Sequence, residues 1–287
     1  MENHQMRVAA IQSMAGFGRC SMAVILPVIS AMGVQVCPVP TAVLSTHTGG
    51  LGDVVLRDMT DYLAPSLEHY KQLDIGFDCI YSGFLGSVEQ VDRCLEFFRA
   101  YPGALTVADP VMGDHGKPYR TCGPELRGRM GELVAQADII TPNVTEAAFL
   151  LGSEYPRAPI TAEKAKGMLA RLGELGPERV VITSVSLADG SMANLGYDRS
   201  RAAYWRVNYS HVPAAYPGTG DIFASVLVGG LLTGDSLPIA MDRATKFTEI
   251  TVKTTYGFGT DTRFGVMFEK SLHWLRGDNV LTGYSPL

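Results

Sequence analysis

Short runs of Val, Ile, Leu and Ala recur along this chain, separated by stretches with helical periodicity. The runs are Arg7–Gln12, Gln35–Cys37, Ala42–Leu44, Asp78–Tyr81, Leu105–Ala108, Asp138–Thr141 and Arg179–Thr183. They are too short for helices that bury a face, and their nearly unbroken apolar character suits strands covered on both sides. Between them, Val91, Cys94, Leu95 and Phe98 repeat at helical spacing, as do Ala165, Met168, Leu169 and Leu172 behind Thr161. Buried strands alternating with amphipathic helices predict an α/β fold, a three-layer α/β/α sandwich around a mostly parallel sheet. Gly190–His211 departs from this pattern. After Asp189 and Gly190 it alternates through Tyr204, Arg206, Asn208 and Ser210, which predicts antiparallel edge strands. From Thr219 the pattern is helical almost to the end, interrupted at Tyr256–Thr260. No linker, repeat or low-complexity tract intervenes, so residues 1–287 are expected to form a single domain.

Composition removes several function classes. With 46% hydrophobic and 18% charged residues the chain is too apolar for intrinsic disorder. A net charge of -5 without any basic run excludes nucleic acid as the expected partner. The uncharged stretch between Arg19 and Asp53 is broken by Pro27, Pro38 and Pro40 and by polar residues, so no membrane span is expected. The N-terminus lacks the basic and apolar regions of a secretory leader. Cys20, Cys37, Cys79, Cys94 and Cys122 form no CxxC pair, which predicts reduced thiols in a cytoplasmic protein. His4, His69, His211 and His273 lack metal-ligand spacing, and Trp205 and Trp274 read as packing residues.

Hydroxyls, amides and carboxylates gather where the apolar runs stop, and in parallel sheets ligands bind beyond the strands' carboxyl ends. Ser13 follows the first run and Ser45–Gly50 the next. Tyr81-Ser82-Gly83, Asp109–Asp114, Thr141–Glu146 and Thr183-Ser184 end later ones. The most informative segment is Gly218-Thr219-Gly220-Asp221, which opens a helix whose stripe is Ile222, Phe223, Val226, Leu227 and Leu231. Glycines allow close backbone approach, and free N–H groups at a helix start attract anions. A carboxylate there is suited to accept a proton from a hydroxyl while the amides stabilise a transferring phosphoryl group. Neither GxxxxGK[ST] nor GxGxxG is present, which excludes Walker-type and dinucleotide sites.

Gly218–Asp221, Asp109-Pro-Val-Met-Gly-Asp114 and Thr141-Pro-Asn-Val-Thr-Glu146 together resemble the ribokinase superfamily. Ser45-Thr-His-Thr-Gly49 and Asp109–Tyr119 are most similar to its pyridoxal/pyridoxamine kinases. The resemblance implies a ribokinase-like fold that uses ATP to phosphorylate the 5′-hydroxymethyl group of a B6 vitamer. It implies Asp221 as catalytic base and Gly218, Thr219 and Gly220 as the anion hole. Asp109, Asn143, Glu146, Thr183 and Ser184 would meet the nucleotide, and Ser13, Thr48 and Tyr81, with Asp221, the substrate ring. Asp109, Asp114, Thr141 and Glu146 would hold Mg²⁺ and a monovalent cation (K⁺ or Na⁺). Metal ions fit the local charge, because ATP phosphates beside so many carboxylates need neutralising. Gly113–Tyr119 would form a flap that excludes water, and a homodimer is implied. His47 is expected to bond within its own turn and Cys122 to be structural. Two alternatives are carried forward. One is a hydroxymethylpyrimidine (phosphate) kinase, a group that usually has Cys where Asp221 stands; the other is a non-catalytic vitamer- or nucleotide-binding protein.

Overall fold

Six strands joined by five parallel pairings form the centre of the structure, a computed structural model that describes residues 5–277 and 279–287. His4 and the first residues of the leader reading lie outside the described range. In chain order the elements begin β1 (Arg7–Phe17), α1 (Met22–Ala31), β2 (Gln35–Thr46), β3 (Leu56–Asp58), α2 (Thr60–Gln72) and β4 (Cys79–Ser82). Next come α3 (Val88–Ala100), β5 (Leu105–Ala108), the small hairpin β6 (Gly113–Asp114) and β7 (Lys117–Pro118), and α4 (Pro124–Ala135). After β8 (Ile139–Ile140) come α5 (Val144–Leu150) and α6 (Ala162–Glu174), and then β9 (Arg179–Ser186), β10 (Met192–Asp198) and β11 (Ala203–Tyr209). The chain closes with α7 (Thr219–Leu232), α8 (Leu237–Phe258) and β12 (Tyr284–Pro286). One ten-stranded sheet runs in the order β12-β11-β10-β9-β8-β5-β4-β1-β2-β3. Its interior pairs are parallel, and its two margins, β9 to β12 and β2 with β3, are antiparallel.

Helices cover both faces, as the three-layer expectation requires. One apolar cluster joins Ala9, Ile11 and Ile80 to helices α2 through α6. The other joins Val8, Ala10 and Tyr81 to α1, α7 and α8. Successive strand residues thus feed opposite cores, the period-two consequence of a pleated strand. Side chains fix the helix starts near the site. Asn143 and Glu146 make a reciprocal capping box on α5, and Thr161 accepts from Lys164 N at 3.3 Å to open α6.

Several boundaries differ from the sequence expectations, each for a physical reason. β1 continues through Met14, Gly16 and Phe17, because Met14 and Phe17 pair with Val43 and Thr46 of β2. These strand ends are open to solvent, with Met14 40% and Phe17 51% exposed, so they lack a buried strand's apolar signature. Gln35–Cys37 and Ala42–Leu44 are one strand spanning Pro38 and Pro40. β3 pairs only with Ala42–Leu44, so both prolines stand where β2 has a single neighbour and needs no second donor row. Asp138–Thr141 contracts to Ile139–Ile140, and α8 runs through Tyr256 to Phe258, ending at Gly259 in the left-handed region. β12, lying in the stretch expected to be helical, adds to the β11 edge. The edge strands β10 and β11 fall where the alternation predicted. No described helix is long and apolar enough to cross a membrane, and all five cysteines are free.

Candidate active site

The start of α7 is shaped by one glycine. Gly218 has φ +81°, and a Cβ there would stand 1.9 Å from the Arg19 carbonyl oxygen. Both constraints require glycine, and they hold the α7 start against the turn that follows β1. The first intrahelical donor is Ile222 N, which gives its proton to Gly218 O at 3.0 Å. The N–H groups of Thr219, Gly220 and Asp221 therefore precede the hydrogen-bonded ladder and form an anion-attracting end. Asp221 Oδ2 accepts from Ser21 N at 2.8 Å, and Ser13 Oγ donates to Ser21 Oγ at 3.1 Å. Burial, partly offset by the Ser21 amide, pushes the Asp221 carboxyl up to about 6.

A second group of acids faces this turn from the ends of β5 and β8. Asp109 is only 8% exposed. Burial and then the charge of Asp221 push its carboxyl up to about 8, against a smaller downward pull from Thr141. That pull shows the Thr141 hydroxyl to be close, yet its buried Oγ1 lacks a partner of hydrogen-bonding geometry. Glu146 is raised well above the ordinary carboxylate range by burial and by Asp109. Its oxygens accept from Met112 N at 3.1 Å and Asn143 N at 2.8 Å. Asn143 is fully engaged: Oδ1 accepts from Thr145 N and Glu146 N, and Nδ2 donates to Gly113 O at 2.9 Å, tying the β6–β7 hairpin to α5. Asp114 lies on that hairpin, exposed, with Oδ1 accepting from His115 N at 2.7 Å.

These groups share one cavity of about 990 Å³ at the carboxyl end of the sheet. Ser13, Ser21, Leu44, Thr48 and Phe84 form one part of its wall, and Thr183, Ser184, Asn194, Tyr209 and Thr245 another. His47 bonds within its turn through one nitrogen, as expected, and beyond it through the other: Nδ1 accepts from Gly49 N at 2.9 Å, so the proton sits on Nε2, which donates to Arg263 O at 2.7 Å, 216 residues away. Ser184 adopts φ +58°, held there by Asn194 Oδ1, which accepts its N–H at 3.0 Å. Cys122 is buried. Tyr81 is placed differently from the other candidates. It is 0% exposed and packs in the core on the α7 side, whereas Phe84 from the same strand end forms the wall.

Sequence reasoning missed Phe84, the Tyr209–His211 strand end, and the α8 residues Thr245, Thr248, Glu249 and Val252. The last four carried a signal, since their spacing places them on one helical face. Phe84 needed only the true end of β4, at Ser82. Among the described residues no three His, Cys, Asp or Glu side chains converge to hold a metal ion. The donors present are one buried carboxylate, a neighbouring hydroxyl without a partner, and a second carboxylate already accepting from backbone. They suit a hard cation that completes its shell with ligand oxygens and water.

The family model described as phosphomethylpyrimidine kinase matches residues 26–265. A pyridoxine/pyridoxal/pyridoxamine kinase of Bordetella avium is 33% identical over 253 residues, covering 84% of this chain and 82% of that protein. A candidate phosphomethylpyrimidine kinase of Bacteroides thetaiotaomicron, solved with pyridoxal, is 40% identical with a TM-score of 0.94, over 99% of this chain and 100% of that one. Pyridoxal kinase from Lactobacillus plantarum is 30% identical with a TM-score of 0.86, over 94% and 96% of the two chains.

Proposed function

The chain belongs to the phosphomethylpyrimidine kinase family, and within it we propose that the protein uses ATP to phosphorylate the 5′-hydroxymethyl group of pyridoxal, pyridoxamine or pyridoxine. The observation that carries this reading is the Asp221 carboxylate, set beside the open amides of the α7 start in a cavity of about 990 Å³. That volume is at the upper end for small-ligand sites, about 300–1,000 Å³, which suits a nucleotide and a ring together. The B6 choice is supported by the pyridoxal kinases among its relatives and by the pyridoxal complex of the Bacteroides protein.

In this reading Asp221 accepts the proton of the vitamer hydroxyl as the oxygen attacks the γ-phosphorus of ATP. Negative charge on the phosphoryl oxygens meets the N–H groups of Thr219, Gly220 and Asp221. Ser13, Thr48 and Phe84 frame the ring, while Thr183, Ser184 and the Asn143–Glu146 turn border the nucleotide. Asp109, Asp114, Thr141 and Glu146 are the residues that would hold Mg²⁺ and a K⁺ or Na⁺ ion. Those ions supply neutralisation of the phosphates. Gly113–Tyr119 acts as a flap against water. A cytoplasmic homodimer is part of the same reading, and sedimentation would measure the assembly.

A base held near 6 fixes the sign of the pH dependence. The deprotonated carboxylate is the active form, so kcat/KM, corrected for the vitamer's own ionisation, falls about tenfold per pH unit below about 6 and levels off above it. The assignment is tested by supplying MgATP with pyridoxal, pyridoxamine, pyridoxine and hydroxymethylpyrimidine in parallel and reading ADP. Turnover of the B6 vitamers is expected. Turnover of hydroxymethylpyrimidine alone would favour the thiamine-type reading that the family description allows, and vitamer binding without turnover a non-catalytic binder.

A further inference from the structure

The charge on the cavity wall is lopsided. Asp109, Asp114, Glu146, Asp221 and Glu249 line it, against only two Lys or Arg side chains among the described residues, Lys117 and Arg263. Arg263 is engaged by Asp261 through contacts of 2.6 Å and 3.0 Å, and Glu249 by Lys253. Lys117 is exposed and has no carboxylate partner among the described residues.

Its hairpin is tied to the element that carries Glu146, on the wall of the same cavity. Gly113 O accepts from Asn143 Nδ2, and Gly116 N donates to Thr145 Oγ1 at 2.9 Å. Both ties run to the start of α5. Along an extended strand, residues two apart share a side. Lys117 and Tyr119 accordingly line the cavity and Pro118 does not. Burial raises the Tyr119 phenol first, and the charges of Glu146, Asp114, Asp109 and Asp221 raise it further. The side of the hairpin that carries Lys117 therefore faces the acids grouped around the transfer site.

We propose that Lys117 donates a hydrogen bond to the non-bridging oxygens of the phosphoryl group passing from nucleotide to vitamer. It would be the one mobile protein cation at a site whose fixed side chains are acidic. A triphosphate brings further negative charge to five wall carboxylates, and an ammonium on a flexible stem can follow that charge as it moves. The proposal rests on the kinase reading above.

The test compares wild type, Lys117→Met and Lys117→Arg at saturating pyridoxal with MgATP varied, alongside direct titration of pyridoxal binding. Because Lys117 is exposed, all three should fold alike, which thermal melting checks. Lys117→Met is expected to lose roughly 10- to 100-fold in kcat/KM for ATP, the size of one charge-assisted hydrogen bond. Lys117→Arg should recover most of this, with pyridoxal affinity unchanged in both. A Met variant within about twofold of wild type overturns the proposal, as does an equal loss in Met and Arg accompanied by weaker pyridoxal binding. Wild type that turns over no vitamer refutes the kinase reading itself, and the proposal with it.

Discussion

Asp221→Asn is expected to lower kcat by about 10²–10⁴ while nucleotide binding persists, the range for losing a positioned general base. The amide matches the carboxylate in shape, and its oxygen can still accept from Ser21 N, now 2.8 Å from Asp221 Oδ2. What disappears is the capacity to take the hydroxyl proton. A second consequence separates this loss from simple misfolding. The charge of Asp221 helps hold Asp109 up near 8, so the variant relaxes Asp109 downward while burial continues to raise it. The residual activity should also lose the fall in rate below about pH 6, since the group responsible is gone. Steady-state kinetics across pH and calorimetric nucleotide titration measure both effects. Near-normal kcat would place the base elsewhere.

How much of this was legible beforehand depended on burial. The central strands β4, β5 and β9 are covered on both faces, so their Val and Ile runs announce themselves. The ends of β1 and β2 are open to solvent, and there Met14, Phe17 and Val43 stand 40%, 51% and 41% exposed. Hydropathy cannot distinguish such strands from loops. Gly16 illustrates the confusion: a glycine beside exposed Phe17 reads as a loop, yet it lies inside β1, where a Cβ would stand 3.1 Å from Ser45 O. At the site, residues carried by a local motif were legible, because capping and turn chemistry act within a few residues. Asn143 and Glu146 satisfy each other's turn, and Gly218 and Asp221 belong to one helix start. Phe84, Asn194 and Thr245 depend on strand ends and on contacts between distant segments. Asn194 Nδ2 donates to Thr245 Oγ1 at 2.9 Å across 51 residues, a relation no local pattern contains.

Two glycines, two residues apart, should fail in opposite ways. At Gly218, alanine must adopt φ +81° and put a methyl group 1.9 Å from a backbone oxygen. The left-handed conformation costs about 1–2 kcal/mol, and the clash is relieved only by moving the Arg19 turn or the first turn of α7. That first turn carries all three proposed anion-binding amides and Asp221. A shift of about 1 Å can cost 10²-fold in rate, and losing a single oxyanion donor about 10²–10³. Gly218→Ala is therefore expected to lower both the melting temperature and kcat, the latter by about 10²–10³. At Gly220 an added Cβ meets nothing within 4 Å, and its φ lies outside the left-handed range. Alanine favours helix over glycine by about 1 kcal/mol, so Gly220→Ala should leave the melting temperature unchanged or raised. If the open space beside Gly220 receives the γ-phosphate, the same methyl group enters the ligand's volume. Activity with MgATP should then fall although the protein is no less stable. Thermal melting and ATP-dependent turnover of both variants decide the matter, and full activity in Gly220→Ala would move the phosphate away from the α7 start.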